Sequence, residues 1–150
     1  MARQHSIPVL LPKGAGRPVP LTLLSQQGST ESLSEADIQT VVHEYPACLP
    51  IAEIDPMFAG AVPICTELST PAGAIDNFMV TPSGLPVLVE CKLWRNPEGR
   101  REVVAQILDY AKKLSRWSSS DVQREANRRL NRNGMSLLEL VRAVNPAVAK

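Results

Sequence analysis

The sequence predicts an α/β domain of the α+β kind: a helix, three mixed strands, a second helix and an additional C-terminal helical segment. Two observations set the order of elements. Short apolar runs bounded by proline and glycine read as strands between Ile64 and Trp94, and apolar residues at helical spacing flank them on both sides. A third observation points to chemistry. Gly73-Ala74-Ile75-Asp76, Glu90-Cys91-Lys92 and Gln106-Ile107-Leu108-Asp109-Tyr110 follow one another on strand, strand and helix.

Residues 1–30 are rich in proline, glycine and serine, with two apolar patches, Val9-Leu10-Leu11 and Leu21-Thr22-Leu23-Leu24. They read as an N-terminal arm or a short strand pair. The core domain is expected over 31–120 and a basic helical tail over 121–150. A first helix spans Glu35 to Tyr45, with Ser34 as N-cap, Ile38, Val41, Val42 and Tyr45 on one face, and Pro46 as its stop. The proline-punctuated stretch Leu49 to Pro63 reads as a loop leading to a strand at Ile64 to Leu68.

The next two strands, Ala74 to Thr81 and Pro86 to Trp94, are separated by Pro82-Ser83-Gly84, a turn signal. A three-residue loop sets Thr81 against Leu85, and counting outward brings Asp76 opposite Glu90. Cross-strand neighbours sit about 4.5–5.5 Å apart at Cβ, close enough for two carboxylates to share a cation. A shift of one residue would turn Asp76 to the other face. Alternation puts Glu90 and Lys92 on one side of their strand, roughly 6.5 Å apart.

Glu102 to Trp117 carries Val103, Val104, Ile107, Leu108, Ala111 and Leu114 at helical spacing, so one face is expected to pack on the sheet. Gln106 and Tyr110, four residues apart, share a side of that helix. They read either as ligands for water or phosphate, or as a surface glutamine beside a core tyrosine. The tail is helical from Asp121 to Val144.

Two carboxylates held this close repel unless a cation lies between them. Mg²⁺ or Mn²⁺ suits oxygen donors, and a nearby lysine can orient a water and offset charge on a phosphate under attack. The Cys91 carbonyl is a further candidate oxygen ligand. The structural alternatives are Asp76 as a turn former and Glu90 with Lys92 as a surface ion pair of small energetic weight. An acid at the end of Val87-Leu88-Val89 argues against them, because isolated charge beside a core is costly.

These motifs resemble the metal-acid, acid-x-lysine and Gln-x-x-x-Tyr motifs of PD-(D/E)XK nucleases, in the version shared by RecB-type enzymes. The chain also resembles the catalytic domain of NucS-type endonucleases, through Ser34-Glu35-Ala36-Asp37 opening a helix and Thr66-Glu67 preceding the Gly-x-x-Asp strand. The resemblance covers Leu33 to Trp117 and implies a restriction-endonuclease-like core. It implies that Asp76 and Glu90 are metal ligands, that Lys92 is the catalytic lysine, and that Gln106 and Tyr110 support the site. Glu35 would be the acid donated by the first helix, although an acid in a first turn also suits the helix dipole. Glu67 also reads as a solvated strand-end carboxylate, and Glu44 is a candidate the family pattern does not support. A nuclease of this class usually has a fourth core strand after the second helix, and nothing from Ser118 to Lys150 reads as one. The tail substitutes for it, the chain is a fragment of a longer protein, or a partner protomer supplies the strand.

The net charge of +1 conceals an asymmetry. No lysine or arginine occurs between Glu31 and Glu90, whereas Arg95, Arg100, Arg101, Lys112, Lys113, Arg116, Arg124, Arg128, Arg129 and Arg132 crowd the stretch after Lys92. An acidic half joined to a basic half suits nucleic acid, and Arg95, Arg100, Arg101, Lys112, Lys113, Arg124 and Arg128 are the candidate phosphate contacts. Solvated helix faces explain such residues equally well. Trp94, beside the site, is expected either against substrate or in the core.

A hydrophobic content of 44% in 150 residues suffices for one core. The sequence has no membrane-length apolar run and no signal-peptide pattern, so a cytoplasmic location is the expectation. Cys48, Cys65 and Cys91 lack zinc spacing and, set in apolar surroundings, read as reduced core or near-core thiols, and His5 and His43 are isolated. The expected function is a Mg²⁺-dependent nuclease cutting nucleic acid, as a DNA endonuclease of repair or defence. The alternatives are a nucleic-acid-binding module that does not cleave and a scaffold that docks another protein through the basic tail.

Overall fold

A computed structural model describes residues 9–10, 17, 19–20, 34–93, 99–130 and 136–148; Trp94, Arg95 and Arg132 fall outside them, as does the side chain of Arg100. The chain forms two compact units, Met1–Leu33 and Ser34–Lys150. In the first, β1 (Val9–Leu10) pairs antiparallel with β2 (Val19–Pro20), which precedes the second apolar patch. The apolar patch at Leu21 to Leu24 lies outside the described residues.

The second unit opens with α1 (Glu35–Glu44). Ser34 Oγ accepts from the Asp37 amide at 3.1 Å and Asp37 Oδ2 accepts from the Ser34 amide at 2.8 Å, a reciprocal cap that satisfies two otherwise orphaned donors. Pro46 ends the helix. Pro46–Cys48 forms a single turn after it, and the stretch expected to be loop, Leu49 to Pro63, holds two more, α2 (Ile51–Ile54) and Pro56–Phe58, each next to or starting on a proline.

The strands β3 (Val62–Thr70), β4 (Gly73–Val80) and β5 (Pro86–Val89) form a sheet in the order β3-β4-β5. All pairing is antiparallel, which corrects the expected mixed sheet. Consecutive strands joined by short turns reverse direction, so nothing here makes a parallel crossover. β5 also stops earlier than its apolar pattern suggests, leaving Glu90, Cys91 and Lys92 beyond the ladder. The β4–β5 register is the one counted from the turn: Asn77 pairs with Val89 and Val80 with Pro86. The Thr81 amide donates to the Leu85 carbonyl at 2.9 Å and the Gly84 amide to the Thr81 carbonyl at 2.9 Å. Gly84 takes φ +85°, which closes the turn without a Cβ penalty.

Helices α3 (Gly99–Leu114), α4 (Ser119–Leu130) and α5 (Leu137–Val144) complete the unit. The tail is therefore two helices instead of one, and it belongs to the same compact unit as the sheet. The adjacent β4 residues Phe78 and Met79 enter two different apolar clusters. Phe78 joins Leu68, Ile75, Tyr110, Ala126 and Val141, with α3, α4 and α5 contributing. Met79 joins Val42 and Cys91, with α1 and α2 contributing. Helical faces are narrower than the apolar residues suggested: Val104 and Leu108 on α3 are 60% and 64% exposed, and Val41 and Tyr45 beside α1 are also exposed. Ile107, Tyr110 and Leu114 share the inward stripe, at spacings of three and four residues.

Candidate functional site

The β4–β5 ladder ends at Asn77 and Val89, so Asp76 and Glu90 are the next residues on either side of its end, and the Asp76 charge acts on the Glu90 carboxyl. The two acids differ in their surroundings. Asp76 Oδ2 accepts from the Cys91 amide at 2.7 Å, a bond that turns the chain after Val89 toward β4 and ends the regular strand. Its Oδ1 lies 3.4 Å from Gln39 Nε2. Glu90 has a side chain only 2% exposed, and its Oε1 lies 3.0 Å from Lys92 Nζ. Its other oxygen, Oε2, is buried and has no hydrogen-bond partner.

Burial is the largest influence on Glu90 and pushes its carboxyl above the usual glutamate range; the hydrogen bond from Lys92 works against this and the Asp76 charge adds to it. The hydrogen bond to Glu90 holds the Lys92 ammonium above the ordinary lysine value. Lys92 also lies 3.7 Å from Glu35 Oε2, while Glu35 Oε1 accepts from the Leu93 amide at 3.0 Å. Glu35 thus reaches the same neighbourhood from α1, with the Lys92 ammonium between it and Glu90. Among the described residues, no three His, Cys, Asp or Glu side chains converge as a metal-ligating group.

The observed contribution of Cys91 to the site is its amide, given to Asp76, whereas its carbonyl was the expected ligand. Its thiol is buried and pushed up to about 11, first by desolvation and then by the Asp76 charge, so it stays protonated near neutrality. Tyr110 is 2% exposed and its hydroxyl donates to the Ala74 carbonyl at 2.9 Å. Gln106 Nε2 in turn donates to the Tyr110 hydroxyl at 3.3 Å. Tyr110 therefore anchors α3 to the start of β4 and turns its hydroxyl to backbone instead of solvent. Gly73, next to the Tyr110 hydroxyl, holds φ +128°, a backbone conformation that favours glycine.

Two residues at the site carried no motif. Gln39 on α1 donates from Nε2 to Glu67 Oε1 at 2.6 Å and to the Asp76 carbonyl at 2.9 Å. Asn77, fully buried, donates from Nδ2 to the Gln39 carbonyl at 3.0 Å. The available signals were spacing and burial. Gln39 lies one helical turn from Glu35, and Asn77 is a polar residue with the buried apolar Ile75, Phe78 and Met79 close by in its strand. Glu44, at the far end of α1, is exposed.

Of the expected phosphate contacts, Arg101 and Lys112 are exposed on α3 and Lys113 is half-buried. Arg124 and Arg128 are exposed on α4 and pair with acids of their own helix: Arg124 with Asp121 at 2.7 Å, and Arg128 with Glu125 at 2.8 Å. Arg129 instead reaches the sheet, donating to the Thr66 carbonyl at 3.0 Å. An apolar cleft of about 410 Å³, lined by residues including Phe78, Leu114, Trp117 and Val122, contains none of the site acids. Among the described residues, no helix is long and apolar enough to cross a membrane. Compared with known protein families, with characterised proteins and with solved structures, the chain matches none of them.

Proposed function

We propose that this chain is a metal-dependent nuclease of the PD-(D/E)XK type that hydrolyses phosphodiester bonds of nucleic acid, with DNA as its substrate. One observation carries the reading: Glu90, at the end of the β4–β5 ladder with Asp76, is buried, bonded to Lys92 through one oxygen and unpartnered at the other. A buried carboxylate oxygen without a donor is costly unless a cation or proton serves it.

The donor set fits a hard divalent cation, with Asp76 Oδ1 and Glu90 Oε2 as the oxygens that would hold Mg²⁺ or Mn²⁺. Bound there, the ion would supply Lewis acidity toward the phosphate and lower the pKa of an attacking water. The chain's own residues do the rest. The Cys91 amide fixes the second oxygen of Asp76, so the carboxylate keeps one orientation. Lys92, 37% exposed at its side chain, can face both Glu90 and an incoming phosphate, and its charge opposes the negative charge that grows in the transition state. Glu35 holds the adjacent backbone at Leu93 and limits how far Lys92 can swing. The basic residues of α3 and α4 would carry the flanking phosphates.

Calorimetric titration of Mg²⁺ into the parent and into Asp76→Ala tests the assignment. Binding in the parent and none in the variant is the expected result. Equal affinity in both would remove Asp76 from the site.

A further inference from the structure

Asp76 is held by more than its own strand. In β3, Thr66 pairs with Asn77 and Leu68 with Ile75, but Glu67 and Asp76 between them do not pair. Glu67 takes φ +55°, the left-handed region that an ordinary side chain rarely enters, and it is the one non-glycine residue there among those described. Such backbone persists only where the surroundings enforce it, and it concentrates at functional positions. At this break in the ladder the Gln39 amide comes in from α1. Its two protons go to Glu67 Oε1 at 2.6 Å and to the Asp76 carbonyl at 2.9 Å, and the nitrogen stands 3.4 Å from Asp76 Oδ1. The main chain of Gln39 is itself tied to β4 by the buried Asn77 at 3.0 Å.

We infer that Gln39 is a positioning residue for Asp76, aimed by Glu67, whose left-handed backbone presents its carboxylate to the Gln39 amide. The amide bridges the unpaired step of the sheet and fixes the Asp76 main chain from one side, while the Cys91 amide fixes Oδ2 from the other. Asp76 then presents Oδ1, which carries only the long 3.4 Å contact from Gln39, to a cation in a set direction. Partners that orient a metal ligand without touching the metal typically change affinity by about 10–100-fold when removed. This inference rests on the metal-dependent reading of the site.

The test measures plasmid cleavage against Mg²⁺ concentration, with Mg²⁺ calorimetry alongside, for the parent and three variants. Gln39→Met keeps the reach of the side chain and removes both donors. The Mg²⁺ midpoint is expected to rise about tenfold in both assays, while the rate at saturating Mg²⁺ falls by less than about threefold. Glu67→Gly removes the acceptor and also relieves the left-handed backbone, so it reads out the same contact if Gln39→Met fails to fold. It should shift the midpoint in the same direction. Glu67→Gln keeps the acceptor and should recover most of that shift.

A Gln39→Met protein with the parental Mg²⁺ midpoint overturns the inference, as does one that loses only active fraction while its midpoint stays put. A Glu67→Gln loss as deep as that of Asp76→Ala would make Glu67 a cation ligand, contrary to the role assigned here. Parent protein that neither binds Mg²⁺ nor cuts would overturn the nuclease reading, an outcome separate from either of these.

Discussion

Lys92 Nζ sits 3.0 Å from one oxygen of Glu90, while the other oxygen of that carboxylate is buried with no partner. An ordinary surface ion pair would have both oxygens wet and would contribute little. Here the acid is buried deeply enough that its charged form is disfavoured despite the lysine, and the protein maintains that cost at the point where β4 and β5 stop pairing.

The pH dependence of cation binding follows from that burial. A cation needs the ionised carboxylate, and the Glu90 carboxyl is raised above its ordinary value of 4.5, so protons compete with the cation further up the scale than usual. Apparent Mg²⁺ affinity should therefore climb with pH from about that value and level off only above the raised one. For the folded protein without metal the sign is opposite. A raised carboxyl favours the folded state while protonated, and that contribution is lost as pH rises through the same window. Mg²⁺ calorimetry across pH 4.5 to 8 checks the first statement, and Glu90→Gln should lose both the affinity and its pH dependence.

Tyr110 should behave as an anchor. Tyr110→Phe keeps the buried ring and leaves the Ala74 carbonyl without its donor, so unfolding free energy should fall by about 1 kcal/mol. Cleavage by the folded variant should stay within about threefold of the parent, since the hydroxyl points at backbone. Denaturant melts and single-turnover assays on the same preparation measure the two quantities separately.

Arg124 and Arg128 provide a test of the nucleic-acid surface. Both guanidinium side chains are more than half exposed, so a phosphate can compete with Asp121 and Glu125 for them. Neutralising both to glutamine should lower the slope of log affinity against log salt by about 1.8 if each meets one phosphate. A slope equal to the parent's would remove α4 from the substrate path.

Much of this site was legible in local sequence. A three-residue turn fixes the β4–β5 register, and that register brings Asp76 and Glu90 to the end of the ladder. Ser34 announced the start of α1, and with it the reach of Glu35. The rest depended on tertiary approach. Gln39 looks like any polar residue in mid-helix until α1 lies over β4, and no spacing rule announces a left-handed glutamate inside a strand. The early end of β5 has the same origin, because the ligand for the Cys91 amide is a side chain fifteen residues away instead of a neighbouring backbone carbonyl. Val104 and Leu108 were expected in the core because apolar character was read without knowing which stripe of α3 meets the sheet.

Single-turnover cleavage of plasmid DNA in Mg²⁺ by Lys92→Met, beside the parent, tests the central claim most directly. Methionine keeps most of the side-chain volume and removes the charge, which in this account acts on the transition state and not on the cation. The variant should fold, bind Mg²⁺ and bind DNA within a few-fold of the parent, yet lose cleavage by about 10²-fold or more. Cleavage by Lys92→Met at the parental rate would contradict the account.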